Sequence, residues 1–196
     1  MAPGEAGKVL AAEAVRFAGF GWMRGTSGNL SLVLSRDPLR LAVTASGVDK
    51  GSLTAADVVV VDAAGAAVDP AAGRPSAEAA FHARVVQRAG AGAVVHVHTV
   101  ASVAAAARHP GGIELEGLEM LKGIGRRADG DVVRVPVIAN SQDMTELGDR
   151  FDAAWEPATP AVVIAGHGLY AWGADAMQAR HHTEIVEWLL ELLVGA

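Results

Sequence analysis

The chain has 196 residues, 51% hydrophobic and 19% charged, with a formal net charge of −6 and no cysteine. That length carries one medium domain with a sizeable core, and that apolar share excludes a disordered chain. The acidic balance, without a basic stripe, argues against a nucleic-acid partner, and the lack of cysteine excludes disulfides and thiolate metal sites.

In chain order, the opening MAPGEAGKVLAAEAVRF has no basic region ahead of a continuous apolar core, so no signal peptide is expected. Residues 8–20 read as an amphipathic helix that ends near Gly19 and Gly21. RGTSGNLSLVLS is a turn running into a strand at residues 30–34. LRLAVTASGVDKG is a second strand with a similar turn, and DVVVVDAAG a third. Strands this short and close together favour hairpins over βαβ crossovers. RPSAEAAFHARVVQRAG reads as a helix that Pro75 and Ser76 start and Gly90 stops, with Glu78 in its first turn. AVVHVH is a strand, VASVAAAARH a helix, PGGIELEG a mobile segment, EGLEMLKGIG a short helix and DVVRVPVIAN one strand. DMTELGDRFDAAW is a helix with Asp143 as N-cap, PAVVIAGHGLYAWG is two strands around a Gly-His-Gly turn, and residues 175–193 form the last helix. The expected fold is one α/β domain over residues 1–196, a mixed sheet covered by helices. No apolar run reaches the roughly 18 residues of a membrane span, so the expectation is a cytoplasmic protein with no membrane partner.

Inside this apolar chain, GAVVHVHTVA places two histidines one residue apart. Burying one unpaired polar group costs roughly 1–3 kcal/mol, so two need a reason. Side chains at i and i+2 of a strand share a face. His96 and His98 can therefore converge on one metal, which three protein ligands and an open position would make catalytic. His167, between two glycines in AGHGLY, is the first choice for the third ligand. His82, four residues after Glu78 on one helical face, is the competitor, and a core histidine is an equally good reading of it. His109 reads as a loop residue. His181 and His182 read as helix residues, paired with Glu184 or Glu187 or simply exposed.

GTSGNLS and TASGVDKG are turns whose small residues, hydroxyls and backbone N–H groups can form a concave anion site. Thr26, Gly28, Asn29, Ser46 and Gly47 lie in them. Ser76 at a helix start adds donors and the helix dipole, and Lys50 adds charge. Together with a metal pair, these turns point to a small phosphorylated substrate.

In order and spacing, GTSGNLS, TASGVDKG, RPSAE, VVHVHT and GHGLYAWG resemble the class II aldolase and adducin-head superfamily, from near residue 8 to near residue 194. LEMLKGIG, VPVIANSQD and YAWG resemble, within it, the methylthioribulose-1-phosphate dehydratases of methionine salvage. The resemblance implies a three-layer fold with a central, largely antiparallel sheet flanked by helices, and a homotetramer with sites at subunit interfaces. It implies zinc held by His96, His98 and His167, and a phosphate pocket at Gly28, Asn29, Ser46, Gly47 and Ser76. It also implies an acid/base role for Glu119, the position of the dehydratases, while Glu78 matches the catalytic carboxylate of the aldolases.

The implied activity is a metal-dependent lyase eliminating water from 5-methylthioribulose 1-phosphate. The alternatives are an aldolase cleaving a ketose 1-phosphate at almost the same site, and a metal-free adducin-like interaction module, against which the intact histidine set speaks. Met120, Leu121 and Trp172 are candidates for the methylthio pocket. Arg126, Arg127 and Arg134 lie in an expected exposed loop that either reaches a neighbouring subunit's site or has no role there.

Overall fold

Pro3, whose missing N–H and fixed φ suit a first helical turn, opens helix α1 (Pro3–Gly19), well before the expected start at residue 8. The structure, a computed structural model, describes residues 1–195. Strands β1 (Asn29–Arg36) and β2 (Leu39–Thr44) form the first hairpin, and β3 (Val58–Val61) adds antiparallel to β2. After α2 (Ala79–Ala89) the chain enters the sheet again as β4 (Ala93–Val97), antiparallel to β1. Helix α3 (Val100–Arg108), β5 (Ile113–Leu115), a 3-10 turn over Glu119–Ile124, β6 (Val133–Val135) and β7 (Val137–Ile138) follow. Helix α4 (Met144–Ala153), β8 (Ala161–Ile164), β9 (Gly168–Gly173) and α5 (Ala176–Val194) complete the chain.

The main sheet runs β3-β2-β1-β4-β9-β8-β7. Only the β7–β8 pair is parallel, so the sheet is mixed and largely antiparallel, as expected. Helices α1, α3 and α5 cover one face through residues such as Leu10, Phe17, Val95, Val97 and Leu189. Helices α2 and α4 cover the other through Phe81, Val85, Val94, Leu147 and Phe151. β4 lies mid-sheet and is buried throughout, because its alternate residues enter both cores.

Three local expectations are corrected. DVVRVPVIAN is two strands, because Pro136 offers no N–H to a ladder. β6 pairs with β5 in a separate two-stranded sheet, and β7 restarts at the edge of the main one. The segment expected to be mobile thus contains β5. Helix α2 begins at Ala79, so Ser76 lies before it and Glu78 occupies the N-cap position instead of the first turn.

Helix α5 carries a carboxylate in an apolar setting. Glu187 is 1% exposed and accepts a hydrogen bond from Thr99 Oγ1 at 2.9 Å, while Thr99 caps α3 through Ser102 N–H. Burial pushes Glu187 up from 4.5 to about 7, against the opposing hydrogen bond from Thr99. Between those values the folded chain holds a proton that the unfolded chain releases, so folding stability falls as pH rises through that window. At pH 8 the cost reaches about 3 kcal/mol at most. Glu187→Gln is expected to gain more melting temperature at pH 8 than at pH 5. A gain equal at both values, read by thermal unfolding, would contradict this account.

Candidate metal centre and anion pocket

β4 ends at Val97, so His98 sits just beyond the strand, fixed by its N–H donating to Trp22 O at 3.0 Å. His96 is fully buried inside the strand. His167 enters from the turn between β8 and β9. There Gly168 brings β9 so close to β4 that a Cβ would lie 2.3 Å from Val97 O. Gly28, at φ +74°, makes the matching approach from β1, where a Cβ would lie 2.9 Å from His96 O.

The three imidazoles converge. His98 Nε2 is 2.8 Å and His167 Nε2 3.3 Å from His96 Nε2, and one ligand atom from each residue lies within 4.8 Å of the others. Three nitrogens bound tetrahedrally to one ion at about 2.0–2.1 Å would be roughly 3.3 Å apart. The donor set therefore fits a metal. His96 Nδ1 donates to Leu169 O at 3.0 Å, which leaves the Nε2 lone pair facing the other two rings. Burial holds His96 well below its ordinary pKa and His98 down to about 4, with the neighbouring imidazoles adding to both shifts. Both are neutral at pH 7, as ligation requires.

Glu78 closes the cluster. Its Oε1 lies 3.3 Å from His167 Nε2 and its Oε2 3.5 Å from His96 Nε2. Asn29 Nδ2 donates to Oε2 at 2.5 Å. Behind Asn29 stands His82, fully buried and pushed down to about 3 by that burial. A neutral imidazole has one donor and one acceptor. Nε2–H therefore donates to Asn29 Oδ1 at 2.5 Å, and Nδ1 accepts from Ser31 Oγ at 2.8 Å. This chain of bonds fixes which end of the Asn29 amide meets Glu78. His82 is thus a core histidine that orients the site through Asn29, and the third place in the trio falls to His167.

A cavity of about 280 Å³ opens beside the trio, bounded by His98, His167 and Glu78 on one side and by Thr26, Gly28, Ser46, Gly47 and Ser76 on the other. Ser46 N–H is spent on Arg74 O at 2.9 Å, so Ser46 has its hydroxyl to offer. Lys50 also lines the cavity although it is 1% exposed, and its Nζ donates to Val48 O at 2.8 Å and Thr26 O at 3.2 Å. Burial lowers its pKa against the opposing charge of Asp49. Asn29 reaches the cavity, but its amide is committed to Glu78 and His82.

Other expected residues lie elsewhere. Glu119 is 76% exposed on the 3-10 turn, paired with Lys122 Nζ at 2.5 Å, and does not line the cavity. Of the methylthio candidates, Met120 borders a separate hollow with Phe20, Trp22, Ile185 and Trp188. Leu121 is buried in the α1/α3/α5 core, and Trp172 packs on Phe151 and Trp155 across the sheet. Arg126 is bonded to Ala158 O, Arg127 to Asp129 O and Arg134 to Gly111 O. These local bonds tie down the loop and its flanking strand. His109 ends α3, and His182 is bonded through Nδ1 to Trp172 O at 2.7 Å.

Two groups of residues at the site escaped the sequence reading. Ser141, Gln142 and Met144 complete the cavity wall; the polar run NSQD after β7 was the available signal. Tyr170 lies stacked on His96, ring centroids 3.9 Å apart, a contact that only strand pairing reveals.

The chain is 39% identical over 175 residues to the methylthioribulose-1-phosphate dehydratase of Sulfurihydrogenibium sp. (strain YO3AOP1), covering 88% of this chain and 81% of that protein. The protein of the same name from Sorangium cellulosum (strain So ce56) is 38% identical over 192 residues, covering 93% of this chain and 90% of that one. Among solved structures, L-fuculose-1-phosphate aldolase from Thermus thermophilus superposes with a TM-score of 0.72 at 24% identity, over 95% of this chain and 92% of that one. The family model described as the class II aldolase and adducin N-terminal domain matches residues 8–194. The fold, the histidine cluster and this match lead to one conclusion: the chain belongs to the class II aldolase and adducin N-terminal domain family.

Proposed function

We propose that the chain is a methylthioribulose-1-phosphate dehydratase, a lyase of the class II aldolase family that takes a sugar phosphate. The observation that carries this reading is one cavity bounded by His98, His167 and Glu78 of the cluster and by the Ser and Gly turns of an anion site. Relatives at 38–39% identity over most of the chain carry that name. The phosphate sits among Thr26, Gly28, Ser46, Gly47 and Ser76, with Lys50 supplying charge, and this contact fixes the register of the carbon chain.

Zinc is the expected metal, held by His96, His98 and His167, and when bound it supplies Lewis-acid stabilisation of negative charge on the C2 and C3 oxygens. Glu78, beside the trio, takes the C3 proton in this reading. Its Asn29 bond holds the carboxylate ready as acceptor. The C4–O bond then breaks, and a proton from Glu119 lets the hydroxyl leave as water. Tautomerisation gives 2,3-diketo-5-methylthiopentyl 1-phosphate. Glu119 is exposed and outside its own chain's cavity, so this role requires a homo-oligomer, a tetramer by resemblance, in which it serves the cavity of a neighbouring copy. No helix among the described residues is long and apolar enough to cross a membrane. Methionine salvage in the cytoplasm is the setting this reading assigns.

One observation favours a second reading. Glu78 is the carboxylate beside the trio and matches the aldolase position, so C3–C4 cleavage would use the same residues. Turnover tests the first reading: the zinc-loaded chain is expected to consume 5-methylthioribulose 1-phosphate, to stop when a chelator removes the metal, and to resume on zinc addition. A metal-loaded chain that leaves this substrate untouched would contradict it.

A further inference from the structure

The anion cavity suits only one end of the proposed substrate. Among the described residues its apolar lining side chains are Ala45, Ala77 and Met144, and the rest of its wall is polar or glycine. A thioether finds little apolar surface there. A further cavity, of about 270 Å³, lies against the same centre. The two have His98 as a shared wall and, among the described residues, no other lining residue in common. Phe20, Trp22, Val100, Ala101 and Val194 are the apolar lining residues of the further cavity. Phe20 is 48% exposed, and Val100, the first residue of α3, is 80% exposed. Exposed apolar side chains gathered at one hollow mark a binding surface.

The Phe20 and Trp22 rings lie 5.0 Å apart, and Trp22 is stacked on the buried Phe17 at 6.0 Å. The Trp22 carbonyl accepts the His98 N–H at 3.0 Å. The segment that supplies the aromatic wall therefore also fixes a member of the trio, and the fold sets the spacing between wall and centre. The polar groups decide which end of a substrate belongs here. Glu187 and Glu191 line the cavity, while Arg24 donates its Nε to Gly21 O at 3.1 Å. Two carboxyl groups oppose a phosphate, whereas a thioether sulfur packs favourably on aromatic rings. We propose that this cavity is the subsite for the methylthio end of the substrate, with Phe20 and Trp22 as the residues that select it. The phosphate then lies in the Ser and Gly turns, the C2 and C3 oxygens at the trio, and the methylthio group beyond His98 against the two rings. This rests on reading the substrate as 5-methylthioribulose 1-phosphate.

The test separates binding from turnover. Calorimetry compares the affinity of zinc-loaded protein for 5-methylthioribitol 1-phosphate, which has no carbonyl and cannot react, with that for 5-deoxyribitol 1-phosphate, which lacks the methylthio group. The native chain is expected to prefer the methylthio compound about tenfold or more. Phe20→Ala, which removes a half-exposed ring, and Val100→Trp, which fills the cavity, are each expected to bring that ratio close to one while leaving the affinity for 5-deoxyribitol 1-phosphate near native. A native ratio close to one would overturn the proposal. So would a ratio that survives both variants, or a loss of affinity for both compounds alike, which would mark a merely structural effect. A native chain that binds neither compound would overturn the substrate reading and the subsite together. A methylthio preference that Phe20→Ala and Val100→Trp abolish, in a chain that leaves 5-methylthioribulose 1-phosphate unconsumed, would support the subsite and contradict only the proposed reaction.

Discussion

His98→Ala is expected to strip the chain of tightly held metal and to lower kcat/KM by at least about 10³-fold, since metal stabilisation of a charged transition state is worth several kcal/mol. Two imidazoles remain, and two are too few for a catalytic centre. His98 is the informative member of the trio because it lies beyond the end of β4 and is only partly buried. Its loss should leave the fold nearly as stable as before. His96→Ala confounds the result, because His96 is fully buried, bonded to Leu169 O and stacked on Tyr170. Metal content by mass spectrometry and kcat/KM, measured together, check the expectation. A His98→Ala chain that keeps one metal and most of its activity would remove His98 from the centre.

Glu119→Gln is expected to lower kcat about 10²- to 10⁴-fold, the range of a lost general acid, with metal content and KM close to native. Its fold cost is small, because the side chain is 76% exposed and its partner is Lys122, three residues away. An exposed ion pair of this kind contributes about 0–1 kcal/mol. The same exposure makes a stronger test available. In the proposed reading, Glu119→Gln and His98→Ala damage different parts of a site composed from two chains. Mixed and reassembled, the two inactive variants should regain activity, since some cavities then combine an intact trio with an intact Glu119 from the next copy. If Glu119→Gln alone runs at the native rate, the proton reaches the C4 hydroxyl by another route.

The sheet was legible in the sequence because its strands are short, apolar and separated by Gly-rich turns, and because His96 and His98 announce an unusual demand in an apolar run. The departures have local causes. Pro136 splits one expected strand in two, and the chain needs Pro75, Ser76 and Ala77 to travel from the β2 end before α2 can begin at Ala79. The role of His82 was not legible. Its spacing from Glu78 is correct for a shared face, but its partners Asn29 and Ser31 lie some fifty positions away and become neighbours only when α2 packs on β1. Tyr170 was hidden for the same reason, since register across β4 and β9 decides which ring meets His96. Glu119 shows the reverse limit. The segment around it resembles the dehydratases, yet within one chain it stands apart from the centre it is proposed to serve.

In the proposed reading, dehydration and aldol cleavage share the metal centre, the phosphate pocket and Glu78, and they differ in the bond that breaks at C4. The products therefore test the central claim most directly. Zinc-loaded protein is given 5-methylthioribulose 1-phosphate and the products are identified by mass. Loss of one water to the diketone phosphate is the result this account predicts. Dihydroxyacetone phosphate with methylthioacetaldehyde would contradict it, making the chain an aldolase with Glu78 as its principal carboxylate.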